Sequence, residues 1–244
     1  MDIESRGIPT VVYEDNHLIA IVKPFGMPSQ ADDSGDLPAN EWVSGYIREK
    51  YQKPGNVFVG LLHRLDRPAG GLMLFAKTSK AAERMSEMFQ KRQIEKRYLV
   101  ATVSVPQPRA GRLQAYVGPV PGQPHIMRAF DAAGADRKLA ILEYKVLKEI
   151  EGKALLEVEL ETGRKHQIRV QLAKIGCGVI GDGRYNRTPF LADQSIALFS
   201  WKISFEHPVR KGEMIRIVAP IPAGELPFEK LTQGLESSTQ PTVS

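Results

Sequence analysis

Residues 61–76 read LLHRLDRPAGGLMLFA. A Pro/Gly turn, Pro68-Ala69-Gly70-Gly71, separates an apolar lead at residues 57–62 from an apolar run at residues 72–76. That second run has the length and flanks of a strand. Asp66 stands at the strand-to-loop junction between Arg64 and Arg67. Opposite charge nearby favours the ionised carboxylate. A carboxylate kept ionised in basic surroundings has the chemistry of a nucleophile or a base. A salt-bridged loop aspartate has the same local sequence, so the motif alone leaves both readings open. H-R-L-D also occurs in the protein-kinase catalytic loop. The Gly-rich loop and the D-F-G that a kinase needs are missing, so that reading fails.

Outward from this segment the strand signals are short and dispersed. Residues 17–22, 97–103, 139–147, 155–160, 196–205 and 214–218 read as strands. Helices are fewer. Trp42, Val43, Tyr46 and Ile47 recur at helical spacing after Pro38. Ala81, Ala82, Met85, Met88 and Phe89 do the same, with Thr78-Ser79 as the N-cap. Ile168 and Leu172 mark a third helix that ends near Gly176. Many strands with a few interspersed helices and no regular alternation favour an α+β fold with a mixed or antiparallel sheet.

The chain has 244 residues, which suits one large domain or two small ones. The expected layout is a lead-in over residues 1–10, one domain over 11–230 and a disordered tail over 231–244. Charged residues make up 25% and hydrophobic ones 42%, which excludes a wholly disordered chain. No apolar run approaches the length of a membrane span, and the N-terminus lacks a signal-peptide core. One cysteine, Cys177, excludes an internal disulfide framework. The expectation is a cytoplasmic protein without a membrane contact. The net charge of +5 fits polyanion binding but also suits many enzymes.

Two further segments concentrate cations. In TGRKHQIR, residues 162–169, Arg164, Lys165, His166 and Arg169 surround an expected helix N-terminus. That position already attracts anions, so the four side chains repel one another unless a phosphate or a carboxylate such as Asp66 compensates them. A solvated basic face is the alternative. In KRYLV, residues 96–100, Tyr98 sits among cations and could stack on a base. An edge-strand tyrosine packed on the core is the other reading. GCGVIG at residues 176–181 matches G-x-G-x-x-G literally. It follows a helix instead of a strand, so it reads as a helix cap and a turn. The five histidines show no metal-ligand spacing, and no metal is expected.

The order and spacing of these motifs carry more than any one of them. VVYEDNHLIAIVKPFGMPSQ (residues 11–30), HRLDR, KRYLV and TGRKHQIRVQLAKIGCGVIGD (residues 162–182) together resemble the RluA-type pseudouridine synthase family. Tyr185, the stretch ALFSWKISFEHPV (residues 197–209) and the closing Pro220-Ile221-Pro222 support it. The resemblance implies a central, mostly antiparallel sheet flanked by helices and loops, with the active site in a basic cleft. It implies isomerisation of uridine to pseudouridine within rRNA or tRNA, without metal or organic cofactor. It carries the catalytic aspartate onto Asp66, the stacking tyrosine onto Tyr98 and the arginine that pairs with the aspartate onto Arg169. Ile168 and Leu65 would wall the uracil pocket. Arg64, Arg67, Arg164, Lys165 and His166 would hold the flipped-out nucleotide and its phosphates. A monomer is expected, with no room before residue 11 for an accessory RNA-binding module.

One departure stands out. The family turn commonly carries Ser where this chain has Gly70. The expected consequence is a lost hydroxyl contact and a freer loop. Two rivals share the motifs: an inactive RNA-binding relative, and a nucleoside hydrolase. The second would release free uracil and normally needs a metal or paired carboxylates.

Overall fold

The structure is a computed structural model that describes residues 7–186, 191, 194–221, 232, 242 and 243. Residues 1–6 of the expected lead-in, and all but residues 232, 242 and 243 of the expected tail, lie outside the described residues. The chain divides into two compact units. Unit one holds residues 1–94, 200–220 and 237–244; unit two holds residues 95–199 and 221–236.

Unit one is built on apolar strands. β1 (Thr10–Glu14) pairs antiparallel with β2 (Leu18–Lys23), and β2 pairs antiparallel with β4 (Gly70–Ala76). The short β3 (Gly60–Leu61) also pairs with β4. LIAIVK and GGLMLFA are almost wholly buried, so neither shows the alternation of a half-exposed strand. A strand covered on both faces must read as a continuous apolar run. β10 (Leu198–Glu206) follows β4 in the sheet order, then β11 (Met214–Val218) and β12 (Thr242–Val243). Two helices accompany them. α1 (Ala39–Lys50) buries Ala39, Val43 and Ile47 at four-residue spacing. α2 (Ser79–Gln90) buries Ala81 and Met85, and Thr78 Oγ1 caps it by accepting from the Ala81 amide at 3.2 Å.

The turn between β1 and β2 is tied by Asp15. Its Oδ1 accepts the His17 and Leu18 amides, both at 2.7 Å. Its Oδ2 accepts Tyr13 Oη at 2.8 Å, His207 Nε2 at 2.8 Å and Arg210 at 3.0 Å. His207 Nδ1 accepts the Val209 and Arg210 amides, which puts the ring proton on Nε2, facing Asp15. One carboxylate thus closes a hairpin and joins it to the loop after β10.

Unit two is an antiparallel sheet in the order β5-β9-β8-β6-β7. Its strands are β5 (Glu95–Thr102), β6 (Ala110–Val120), β7 (Gln123–Phe130), β8 (Lys138–Ile150) and β9 (Lys153–Leu160). α3 (Gln167–Lys174) packs on β6 and β7, where Ala115, Val117, Ala129, Ala140 and Val170 form a core with Met127 and Tyr185.

The expected α+β class and mostly antiparallel pairing hold in both units. All three helices and the strands at β2, β4, β5, β8, β9, β10 and β11 lie where the patterning puts them. β1, β3, β6, β7 and β12 have no counterpart in the patterning. β6 and β7 contain Gly118, Pro119 and Pro124, which read as breakers, and β7 is an exposed edge where proline is tolerated. Gly118 is required by close approach: a Cβ there would stand 2.6 Å from the Asp136 carbonyl. Among the described residues no helix is long and apolar enough to cross a membrane.

Acid should unfold unit one through the β1–β2 turn. Burial alone would raise the Glu14 pKa, but hydrogen bonds from Lys50, Lys77 and Tyr51 outweigh it and hold the group at about 2. Asp15 is lowered in the same sense: burial pushes it up, and the His17 and Leu18 amides with Tyr13 and His207 pull it further down. Folded pKa values below the unfolded ones mean stability present above about pH 4.5 and lost as pH falls toward 2. Glu14→Gln should flatten the acid limb of a thermal-melt series and lower Tm at neutral pH. An unchanged acid limb would contradict this.

Candidate active site

In unit one Asp66 sits half-buried on the loop into β4, and the backbone on both sides of it is held. Before it, Ser29 Oγ donates to the Leu65 carbonyl at 2.7 Å and accepts the Leu65 amide at 3.0 Å. After it, the Arg67 carbonyl accepts the Gly26 amide at 2.9 Å and Lys23 Nζ at 3.3 Å. The Ala69 amide donates to the Asp66 carbonyl at 3.0 Å, closing the turn. Residues 23–29 therefore form a cradle for residues 65–70.

Lys23 anchors that cradle. It is wholly buried, and its Nζ also donates to the carbonyls of Pro24 at 2.9 Å and Met27 at 2.8 Å. Burial lowers its pKa to about 7; the Asp66 charge pulls it up and the Arg67 charge pushes it down. In sequence the K-P-F-G stretch shows no role for Lys23 or Ser29. The available signal was a single lysine ending an apolar strand before a Pro/Gly turn.

The neighbours of Asp66 differ in their surroundings. Arg64 is exposed. Leu65 is buried. Arg67 turns to the loop over residues 32–36, where it pairs with Asp32 at 3.2 Å and with Asp36. In unit one its guanidinium fastens the carboxylates of that loop. His63 accepts the Leu74 amide on Nε2 at 3.0 Å and packs on Phe89, which ties the H-R-L-D motif to β4 and α2. Gly71 has φ +108°, and a Cβ there would stand 2.3 Å from the Ser200 carbonyl oxygen. Only glycine fits.

In unit two Tyr98 is buried on β5 opposite Val158. Successive strand residues face opposite sides, so Arg97 points away from Tyr98. It meets Glu95 at 2.5 Å and Glu157 and Glu159 at 3.2 Å. The expectation that Arg97 adds its charge to one basic cluster with Tyr98 is corrected by this alternation. Lys96 shares the Tyr98 face, and burial lowers its pKa.

The TGRKHQIR segment folds around Gln167. Its Oε1 accepts Thr162 Oγ1 at 2.8 Å and the Arg164 amide at 3.0 Å, and its Nε2 donates to the Ile141 carbonyl at 3.0 Å. α3 starts there, with His166 in the left-handed region at φ +55° and without a side-chain cap. Arg164 Nε donates to the Leu139 carbonyl at 3.0 Å, Lys165 is exposed and Ile168 is buried. Arg164 and Lys165 thus turn to a backbone carbonyl and to solvent, while His166 and Arg169 both meet Tyr185.

Arg169 is buried, with Asp182 taking its Nε at 2.7 Å and an Nη at 2.8 Å. The pair is 4% and 1% exposed. Such a bidentate contact fixes the plane of the guanidinium. The Arg169 charge also lies 4.9 Å from the centre of the Tyr185 ring. Tyr185 Oη contacts His166 Nδ1 and accepts the Met127 amide at 3.1 Å. In sequence Asp182 reads only as half of an Asp-Gly turn and Tyr185 only as a supporting match. Thirteen residues separate Arg169 from Asp182, a spacing that no local periodicity reveals. Gly176, at φ +76° just past α3, is the expected helix cap.

Among the described residues no three His, Cys, Asp or Glu side chains gather to hold a metal ion.

Breaking the buried pair should be severe. Asp182→Asn leaves a buried charge without its counter-ion, and such losses cost about 3–5 kcal/mol. Urea unfolding should show this. A loss below about 1 kcal/mol would contradict it.

Comparison with known proteins places the chain among pseudouridine synthases. The RNA pseudouridylate synthase family matches residues 17–174. A protein of Nitrosomonas europaea named ribosomal large subunit pseudouridine synthase D is 32% identical over 231 residues, 90% of this chain and 64% of that protein. An uncharacterized RNA pseudouridine synthase of Chlorobaculum parvum is 32% identical over 260 residues, 97% of this chain and 79% of the relative. This chain thus spans about two thirds to four fifths of the length of these relatives. Among solved structures, human RNA pseudouridylate synthase domain containing 4 is similar in fold, with a TM-score of 0.73 at 23% identity over 87% of this chain and 88% of that one. The match runs through the H-R-L-D turn, the K-R-Y strand and the whole of α3, and on it the chain belongs to the RNA pseudouridylate synthase family.

Proposed function

We propose that this chain isomerises uridine to pseudouridine within RNA, with Asp66 as the catalytic carboxylate. The observation that carries the reading is the cradle of Asp66, whose neighbours on both sides are bonded through their backbones while its own side chain stays half-buried. A preorganised group needs little rearrangement at the moment of reaction. The relatives named for the ribosomal large subunit favour rRNA over tRNA as the substrate.

The reaction breaks the N1–C1′ bond, turns the detached uracil and joins C5 to C1′, after which C5 loses its proton. Asp66 acts on the ribose, by attack at C1′ or by removing a proton from C2′. The target base must first leave its stack, at a cost of a few kcal/mol. Tyr98 stacking on the base would offset this. Arg169, its plane fixed by Asp182, supplies a permanent and oriented charge. Leu65 and Ile168 wall the detached uracil from water, which prevents hydrolysis. Arg64, Arg164, Lys165 and His166 hold the RNA backbone. Arg67 contributes indirectly, by fastening the 32–36 loop.

Carbodiimide mapping of pseudouridine in a large-subunit rRNA transcript tests this. Asp66→Ala should abolish product while RNA binding persists within about threefold, because a catalytic group adds little ground-state binding. Full activity in that variant would sink the reading. Binding should weaken steeply as salt rises, and a salt-insensitive affinity would contradict an RNA substrate.

A further inference from the structure

Gly70 is buried, but its backbone does not occupy the left-handed region, so its φ does not demand glycine. The adjacent Gly71 does demand it, through φ +108° and the Ser200 backbone. What crowds a side chain at Gly70 is a ring. A Cβ there would stand 3.0 Å from Phe25 Cζ and 3.1 Å from Cε1 and Cε2. Phe25 is itself only half-buried, so it is not simple core filling. It lies between two backbone groups of the cradle: the Pro24 carbonyl accepts Lys23 Nζ, and the Gly26 amide donates to the Arg67 carbonyl.

We propose that Phe25 is a positioning residue for Asp66, its ring seated on the bare Cα of Gly70 to lock the 65–70 loop. The inference rests on Asp66 being the catalytic carboxylate. Moving the ring shifts Gly26, and with it the bond that holds the Arg67 carbonyl next to Asp66. Absence of a side chain at position 70 is then the complement of an aromatic side chain at position 25. The freer loop that glycine suggested in the sequence is replaced by a packed one. The two positions are one device, and changes at them must be coupled.

A double-mutant cycle reads this out. Phe25→Ala opens space over Gly70, and Gly70→Ala drives a methyl group against the ring. Each alone should lower kcat for pseudouridine formation about tenfold or more, since small misplacements of a reacting group are costly. KM for the RNA should stay within about twofold. The double variant should recover kcat to within about threefold of wild type, because the methyl fills part of the vacated space. Amide exchange of the 65–70 segment should follow the same pattern, fast in Phe25→Ala and protected again in the double variant. Phe25→Leu, which keeps most of the volume, serves if Phe25→Ala does not fold, and should show the same recovery in smaller measure.

Additive losses in kcat would overturn the proposal. So would a rise in KM with kcat unchanged, which would make Phe25 an RNA contact. The exchange measurement separates the lock from the reaction. A wild type that makes no pseudouridine yet shows coupled exchange overturns the proposed function and leaves the lock standing. Uncoupled exchange in an active enzyme overturns the lock alone.

Discussion

The Arg67 carbonyl, held by the Gly26 amide and the buried Lys23 ammonium, is the constraint on which the Asp66 loop depends. Burying an ammonium is costly unless its donors are all used. Lys23 meets that condition with three backbone carbonyls, two from its own turn and one from the Asp66 loop. The third bond is the useful one, since it joins segments 44 residues apart. Ser29 does the same on the other side of Asp66, where one hydroxyl satisfies both polar groups of Leu65. A half-exposed carboxylate thus stands between two residues whose backbones cannot drift.

Unit two meets a comparable demand by a different route. There the fixed group is a guanidinium, and the agent is Asp182, 1% exposed and bidentate. A buried ion pair is weak evidence for stability, but its geometry is demanding, and a defined orientation is what a reaction needs from an arginine. Strand alternation then sorts the remaining charge. Arg97 is spent on Glu95, Glu157 and Glu159, while Lys96 is left on the side of Tyr98. The count of cations along the K-R-Y segment is the same either way; only the pleat decides which face each of them takes.

How much of this was legible follows from what each signal encodes. Continuous apolar runs gave β2 and β4, because a strand covered on both faces has no alternation to hide. The four-residue spacing of Ala81 and Met85 with a threonine cap gave α2. The β6–β7 hairpin escaped because its glycines and prolines, tolerated at an edge and needed where Asp136 approaches Gly118, look like breaks in the chain. Asp66 was legible as a residue but its cradle was not. Ser29, Lys23 and Phe25 lie some 36 to 45 positions upstream of their partners, and no periodicity links such pairs. Gly70 shows the limit most plainly. In sequence it reads as added freedom, and in the structure a neighbouring ring fills the space.

In the proposed reaction the chain breaks a glycosidic bond and rebuilds it at C5 without releasing the base. Large-subunit rRNA carrying uridine tritiated at C5 tests this in one assay. Tritium should appear in water in step with pseudouridine in the RNA, with no free uracil. Free uracil with abasic RNA, or retention of all tritium in uridine, would contradict it.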